Sequence, residues 1–302
     1  MAAPFNSETG STHQKAKLTA QQKQQFHEDG FLFIHNLLPR EAMQPLIDEL
    51  SQRVDDGATV AVKQGMLASS DTFDDAPFET RLAMVSDACS DRNWIWQNYF
   101  RDQKPRTAGM FALRTAPALL GVVESLIGPE ILAHPQFNFR AKLPHHEITV
   151  IPWHQDLAYL IPEEAGDTLV VNVWIPLVKV TAENGCMQVI RGSHRFDLIA
   201  HNYRAQTPGH TGGKGISDAE LPPGEIVTAE LDFGDVLLTN ERVVHCGLPN
   251  RSNTARWSVD TRYSQIGLPT GRENVPGFVA HSRANPDSVA TSYHDWNRLF
   301  EN

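Results

Sequence analysis

TLVVNVWIPLV, residues 168–178, is a short run of apolar and β-branched side chains without the three-to-four-residue stripe of an amphipathic helix. It reads as a strand. Runs of the same kind fill the chain from residue 130: ILAHPQFNFRAKL, ITVIPWHQD, CMQVI, EIVTAEL, DVLLTN, VVHCG and ARWSVDTRYSQ, parted by Pro, Gly, Asn and Asp. Many short strands with turn signals between them predict a β-sandwich or jelly roll, and Asn184-Gly185 between two of them predicts a hairpin turn. No fixed-period repeat is visible, which argues against a propeller or solenoid.

Ahead of this region the texture is helical. Residues 1–17 are polar and read as a disordered leader. LTAQQKQQFHEDG predicts a helix capped by Thr19 with Gln22 and stopped by Gly30, and FLFI a strand. PREAMQPLIDELSQRV carries Met43, Leu46, Ile47, Leu50 and Val54 as a helical stripe, and APALLGVVESLIG (116–128) predicts another helix. Residues 55–110 are turn-rich and then aromatic, the texture of a lid or pocket wall, assigned over 65–112. The expected organisation is one domain over 18–302. It has helical and lid elements at 18–128, a core at about 130–265 and an extension at 266–302. The expected fold class is mainly β, a jelly-roll core packed by N-terminal helices.

Composition narrows the function. With 26 Lys and Arg against 36 Asp and Glu, the net charge of −10 argues against nucleic acid or an anionic membrane as partner. A small-molecule substrate is expected, and homo-oligomers are left open. The three cysteines, Cys89, Cys186 and Cys246, lie outside any CxxC spacing and suggest neither disulfides nor a zinc knuckle. No secretory h-region and no run of 18 apolar residues occurs, so the expected location is the cytoplasm.

Within WHQDLAY (153–159), strand alternation puts His154 and Asp156 on one face. Two imidazoles and one carboxylate form the facial triad of non-haem Fe(II) oxygenases, and a hydrogen-bonded pair at a strand end is the other reading of HxD. The best third ligand is His245 in RVVHCGLPN, where an interior imidazole needs a partner. Beyond it, Arg256 and Ser258 share a strand face and can grip one carboxylate, unless Asp260 is the guanidinium's partner. His194, His145, His146 and Cys246 read as structural.

These residues carry a resemblance. WHQDLAY, VNVWIPLVKVTAENGCMQVIRGSHR and FGDVLLTNERVVHCGLPNRSNTARWSVDTRY, with LTAQQKQQFHEDGFLFIHNLLP before them, resemble the phytanoyl-CoA dioxygenase family of Fe(II)/2-oxoglutarate-dependent oxygenases. The resemblance implies that His154, Asp156 and His245 hold iron and that Arg256 and Ser258 receive the distal carboxylate of 2-oxoglutarate. It brings Gln136, and with it Asn138, toward the cosubstrate. Trp174 borders the cosubstrate or is plain core. Where family members often have Ser two residues after the distal histidine, this chain has Gly247.

The implied chemistry consumes O2 and 2-oxoglutarate, releases succinate and CO2, and oxidises a substrate C–H. Asp156 argues for hydroxylation over halogenation, because related halogenases put a small residue there. A specialised small metabolite is the preferred substrate class, with Arg140 and Arg262 as candidates for a substrate anion, and a fatty acyl-CoA is the alternative. A cupin-like metalloenzyme without 2-oxoglutarate would not need Arg256, and a metal-free binding module would not need His154.

Overall fold

Two antiparallel sheets face each other across the second half of the chain, and the helices cover the outer side of the larger one. The computed structural model describes residues 16–101, 103–161, 167–202, 215–272 and 274–301; nearly all of the predicted leader lies outside them. In chain order run α1 (Ala20–Asp29), β1 (Phe31–Ile34), α2 (Arg40–Lys63), α3 (Phe78–Ala88), α4 (Ala108–Arg114), α5 (Pro117–Ile127), β2 (Ile131–Ala133), β3 (Asn138–Lys142), β4 (Ile151–His154) and β5 (Val171–Pro176). There follow β6 (Met187–Ile190), β7 (Ile226–Ala229), β8 (Val236–Asn240), β9 (His245–Gly247), β10 (Arg256–Gln265), β11 (Phe278–His281) and α6 (Tyr293–Arg298).

The larger sheet has the order β1-β8-β5-β10-β2-β11, with β3 also on β10, and the smaller one is β4-β9-β6-β7. All these pairings are antiparallel. This is the expected jelly roll, widened by β1 and β11 from outside residues 130–265. ILAHPQFNFRAKL is two strands rather than one. Pro135, which has no N–H to give a ladder, lies in the break, and both pieces pair with β10 at different places.

Strand β10 organises the molecule through its alternation. Trp257, Val259 and Tyr263 face the helix layer, where they join one large apolar cluster with Leu46, Leu50, Phe100, Leu113 and Leu119. The intervening Arg256, Ser258, Asp260 and Arg262 face the smaller sheet. Between the sheets a second cluster packs Trp174 and Leu237 against Val189 and Ala229.

The N-terminal helix forms as read: Thr19 and Gln22 make the capping box, and Gly30 ends it with φ +82°. By contrast α2 runs nine residues past Val54 to Lys63, because Gly57, Ala58 and Ala61 continue its buried face with small residues. Residues 55–110 hold the end of α2, then α3, the start of α4 and a wide helical turn at Trp96–Phe100. Trp96 Nε1 donates to Ala141 O at 2.8 Å, fixing that turn on β3. The turn at Asn184-Gly185 is not a hairpin. It carries the chain from β5 in one sheet to β6 in the other, and the Asn184 side chain bonds Thr181 N and Lys179 O at 2.8 and 2.9 Å. Among the described residues no single helix is long and apolar enough to cross a membrane; the bent pair α4 and α5 together has the length and composition, but most of its large apolar residues, Met110, Phe111, Leu113, Leu119, Leu120, Val122 and Val123, are buried in the main core.

Candidate metal centre

His154 ends β4, His245 begins β9, and the two are direct cross-strand partners with ring centroids 4.1 Å apart. Each Nδ1 lies 2.9 Å from the carbonyl two residues upstream, Pro152 O for His154 and Val243 O for His245. A carbonyl can only accept, so each Nδ1 carries the proton and each Nε2 offers a lone pair. Both lone pairs face Asp156, with Nε2 of His154 3.7 Å from Oδ1 and Nε2 of His245 3.9 Å from Oδ2.

Asp156 reaches this point by a route the strand argument did not contain. The strand stops at His154, Gln155 stays extended, and Asp156 opens a short 3-10 turn to Tyr159. Gln155 locks the bend: it is fully buried, donates from Nε2 to Arg242 O at 2.9 Å, and accepts from Ile199 N at 2.8 Å. The three potential ligand atoms lie within 4.8 Å of one another, and all three side chains are buried. Such a donor set fits a divalent ion with protein ligands on one side only.

Arg262 Nη2 donates to Asp156 Oδ1 at 2.8 Å. Burial alone would raise the Asp156 carboxyl, but the Arg262 guanidinium and the two histidines hold it well below the usual carboxylate range. Burial, with His154 beside it, pushes His245 down to about 4, so that ring is neutral at pH 7. Arg262, read as reaching for a substrate anion, is committed instead to the carboxylate between the histidines.

Arg256 is 2% exposed, and burial pushes it down to about 10. Its Nε donates to Gly185 O at 3.2 Å, its Nη1 to Ser258 Oγ, and its guanidinium carbon lies 5.6 Å from the Trp174 ring centroid. Among the described residues no carboxylate forms an ion pair with it. Asp260, the alternative partner, instead accepts from Asn138 Nδ2 at 2.6 Å and Arg140 Nε at 3.1 Å.

One cavity gathers His154, Asp156, His245, Trp174, Arg140, Arg256 and Arg262. Ser258 stands beside Arg256 without reaching the lining, and the structure does not bring Gln136 or Asn138 there. Gln136 Oε1 accepts from Arg272 Nε at 3.3 Å, and the Asn138 amide serves Asp260. Nor does any described residue of 65–112 line this cavity; Trp96, Phe100 and Arg101 border an adjoining hollow, because that segment packs on the sheet's other face.

Among the lining residues that were not read as site residues, two are polar strand residues, Asn172 and Thr239. Asn172 pairs in register with Arg262 on one side and Thr239 on the other, and both its amide atoms are buried without a hydrogen-bond partner. A polar residue inside the apolar run TLVVNVWIPLV was the available signal.

The chain is 25% identical over 273 residues to human peroxisomal phytanoyl-CoA dioxygenase, covering 85% of this chain and 73% of that protein. It is also 25% identical over 252 residues to 1-deoxypentalenic acid 11-beta-hydroxylase of Streptomyces arenae, covering 78% of each. Its fold resembles that of the non-heme monooxygenase ThoJ in apo form, with a TM-score of 0.55, 22% identity and 92% of each chain covered. Together with the buried imidazole and carboxylate set, these likenesses define a non-haem iron, 2-oxoglutarate-dependent oxygenase. The chain belongs to the phytanoyl-CoA dioxygenase (PhyH) family, whose profile matches residues 26–258.

Proposed function

We propose that this oxygenase hydroxylates an unactivated C–H of a small specialised metabolite, with His154, Asp156 and His245 as the iron ligands. The observation that carries the ligand assignment is the pair of Nε2 lone pairs facing one ionised carboxylate. When bound, iron with 2-oxoglutarate and O2 supplies the oxidising equivalent, with succinate and CO2 as co-products.

The chain's own residues have separable tasks in this reading. The carbonyls of Pro152 and Val243 fix the tautomer and ring orientation of the two histidines. Arg262 keeps Asp156 ionised and turned inward. Arg256, oriented by Gly185 O and Ser258, receives the distal carboxylate of 2-oxoglutarate, and Trp174 forms the floor beside it. Arg140, 43% exposed along its side chain, stands at the mouth and reads an anionic group of the substrate.

The likeness to the deoxypentalenic acid hydroxylase supports a specialised metabolite, and the equal identity to human phytanoyl-CoA dioxygenase keeps a fatty acyl-CoA as the alternative. Residues 18–302 act as one unit in this reading, since β1 and β11 complete the sheet that carries the site. Three buried, unpaired thiols suit a cytoplasmic setting.

Anaerobic Fe(II) titration with and without 2-oxoglutarate tests the assignment. A weak visible charge-transfer band is expected in the wild type and lost in His154→Ala and in Arg256→Ala. Iron binding without that band would remove 2-oxoglutarate from the scheme.

A further inference from the structure

Lys142 is buried, with 2% of its surface exposed, and sits on β3 directly opposite Arg256 on β10. Two glycines leave room for it. A Cβ on Gly185 would meet Lys142 Cδ at 2.9 Å, and a Cβ on Gly247 would meet Lys142 Nζ at 3.3 Å. Gly247 shares a strand face with His245 and lines the metal cavity, so the ammonium stands where a side chain at 247 would point. Lys142 itself borders the adjoining hollow, which shares Arg140 and Ile151 with that cavity.

Among the described residues nothing neutralises this group. Nζ donates to Leu248 O, and among the described residues no carboxylate pairs with it. Burial first, and then Arg256 and Arg140, disfavour its charge and hold it well below the ordinary lysine range. Arg256 is likewise buried, and no described carboxylate forms an ion pair with it. Two adjacent buried cations without a counter-ion are costly, and one carboxylate between them turns repulsion into two charge-assisted hydrogen bonds.

We propose that Lys142, threaded through the gap left by Gly185 and Gly247, is a second cationic contact for the distal carboxylate of 2-oxoglutarate and sets the preference for dicarboxylic over monocarboxylic 2-oxo acids. This rests on the reading that Arg256 receives the same carboxylate. Lys142 thereby replaces the donor that a serine at position 247 would have supplied.

The test is anaerobic calorimetric titration of the Mn(II)-loaded full chain with 2-oxoglutarate and with 2-oxovalerate, which lacks the distal carboxylate. Lys142→Met is expected to weaken 2-oxoglutarate binding about 10- to 100-fold and to leave 2-oxovalerate binding unchanged. An equal fall for both acids, or for neither, overturns the proposal, since a merely structural lysine would not distinguish them. Should Lys142→Met not fold, Gly247→Ala keeps the charge but displaces Nζ, and an unchanged preference for the dicarboxylate overturns the proposal equally. A wild-type protein that binds neither acid overturns the Arg256 reading itself, a result distinct from wild-type selectivity that survives in the variants.

Discussion

Arg262 and Asp156 are 106 positions apart in the chain and form a buried ion pair at 2.8 Å, the contact that holds the carboxylate between the two histidines. Arg262→Met removes the group that turns Asp156 inward. Iron or cobalt affinity is expected to fall about 10- to 100-fold, as for other partners of metal ligands, with the fold retained. Metal titration followed by optical spectroscopy checks this; affinity unchanged within error would show that the histidines alone orient the carboxylate.

Asn172 has the opposite balance. Its two unpartnered amide atoms are a cost to the ligand-free fold, so Asn172→Leu, of similar size, is expected to stabilise the metal-free protein by about 1–3 kcal/mol. The same change is expected to lower kcat/KM, because the amide faces the cavity. Denaturant midpoints and steady-state kinetics read the two effects separately.

Trp257 anchors the strand that carries Arg256 and Ser258. It is fully buried, stacked on Phe78 at 4.7 Å and edge-on to Phe100 at 5.3 Å. Trp257→Ala is expected to cost about 3–5 kcal/mol in urea unfolding. Because Arg256 and Ser258 flank it on the same strand, 2-oxoglutarate affinity is expected to fall as well.

Acid stability follows from the buried imidazoles. Burial pushes His245 and His134 down to about 4 each, whereas in the unfolded chain they titrate near 6.5. Between those values the unfolded state binds the extra protons, so stability is complete above about pH 6.5 and falls as the pH drops toward 4. The loss is of the order of 3 kcal/mol per histidine. Glu241, which burial pushes up to about 7, opposes this slope over the same window, so urea unfolding of chelator-treated Glu241→Gln protein at pH 7, 5.5 and 4.5 isolates the histidines; a flat profile there would mean that the rings are solvated.

Much of the site was legible because strand periodicity and ligand chemistry are local. HxD and a late strand histidine named His154, Asp156 and His245, which the structure brings together, and the alternating Arg-x-Ser named Arg256, which lines the same cavity, and Ser258, which stands beside it without reaching the lining. What local pattern could not reach was partnership. Asp260 looked like a partner for Arg256 but pairs with Arg140 and Asn138, while Arg262, two residues further on, turns to Asp156. Gln136 was placed by resemblance, and its Oε1 accepts from Arg272 Nε outside the cavity lining.

The sequence by itself determined the two textures, helical before residue 128 and stranded after it, and the residue types able to hold a metal and a carboxylate. These follow from apolar periodicity and donor chemistry, which each residue carries with it. Only the tertiary structure decided that Asn184-Gly185 crosses between sheets, that its carbonyl orients Arg256, and that Lys142 fills the space beside Gly247. Those are meetings of residues far apart in the chain, set by strand register and by which side chains the closed sheets leave without solvent or counter-ion.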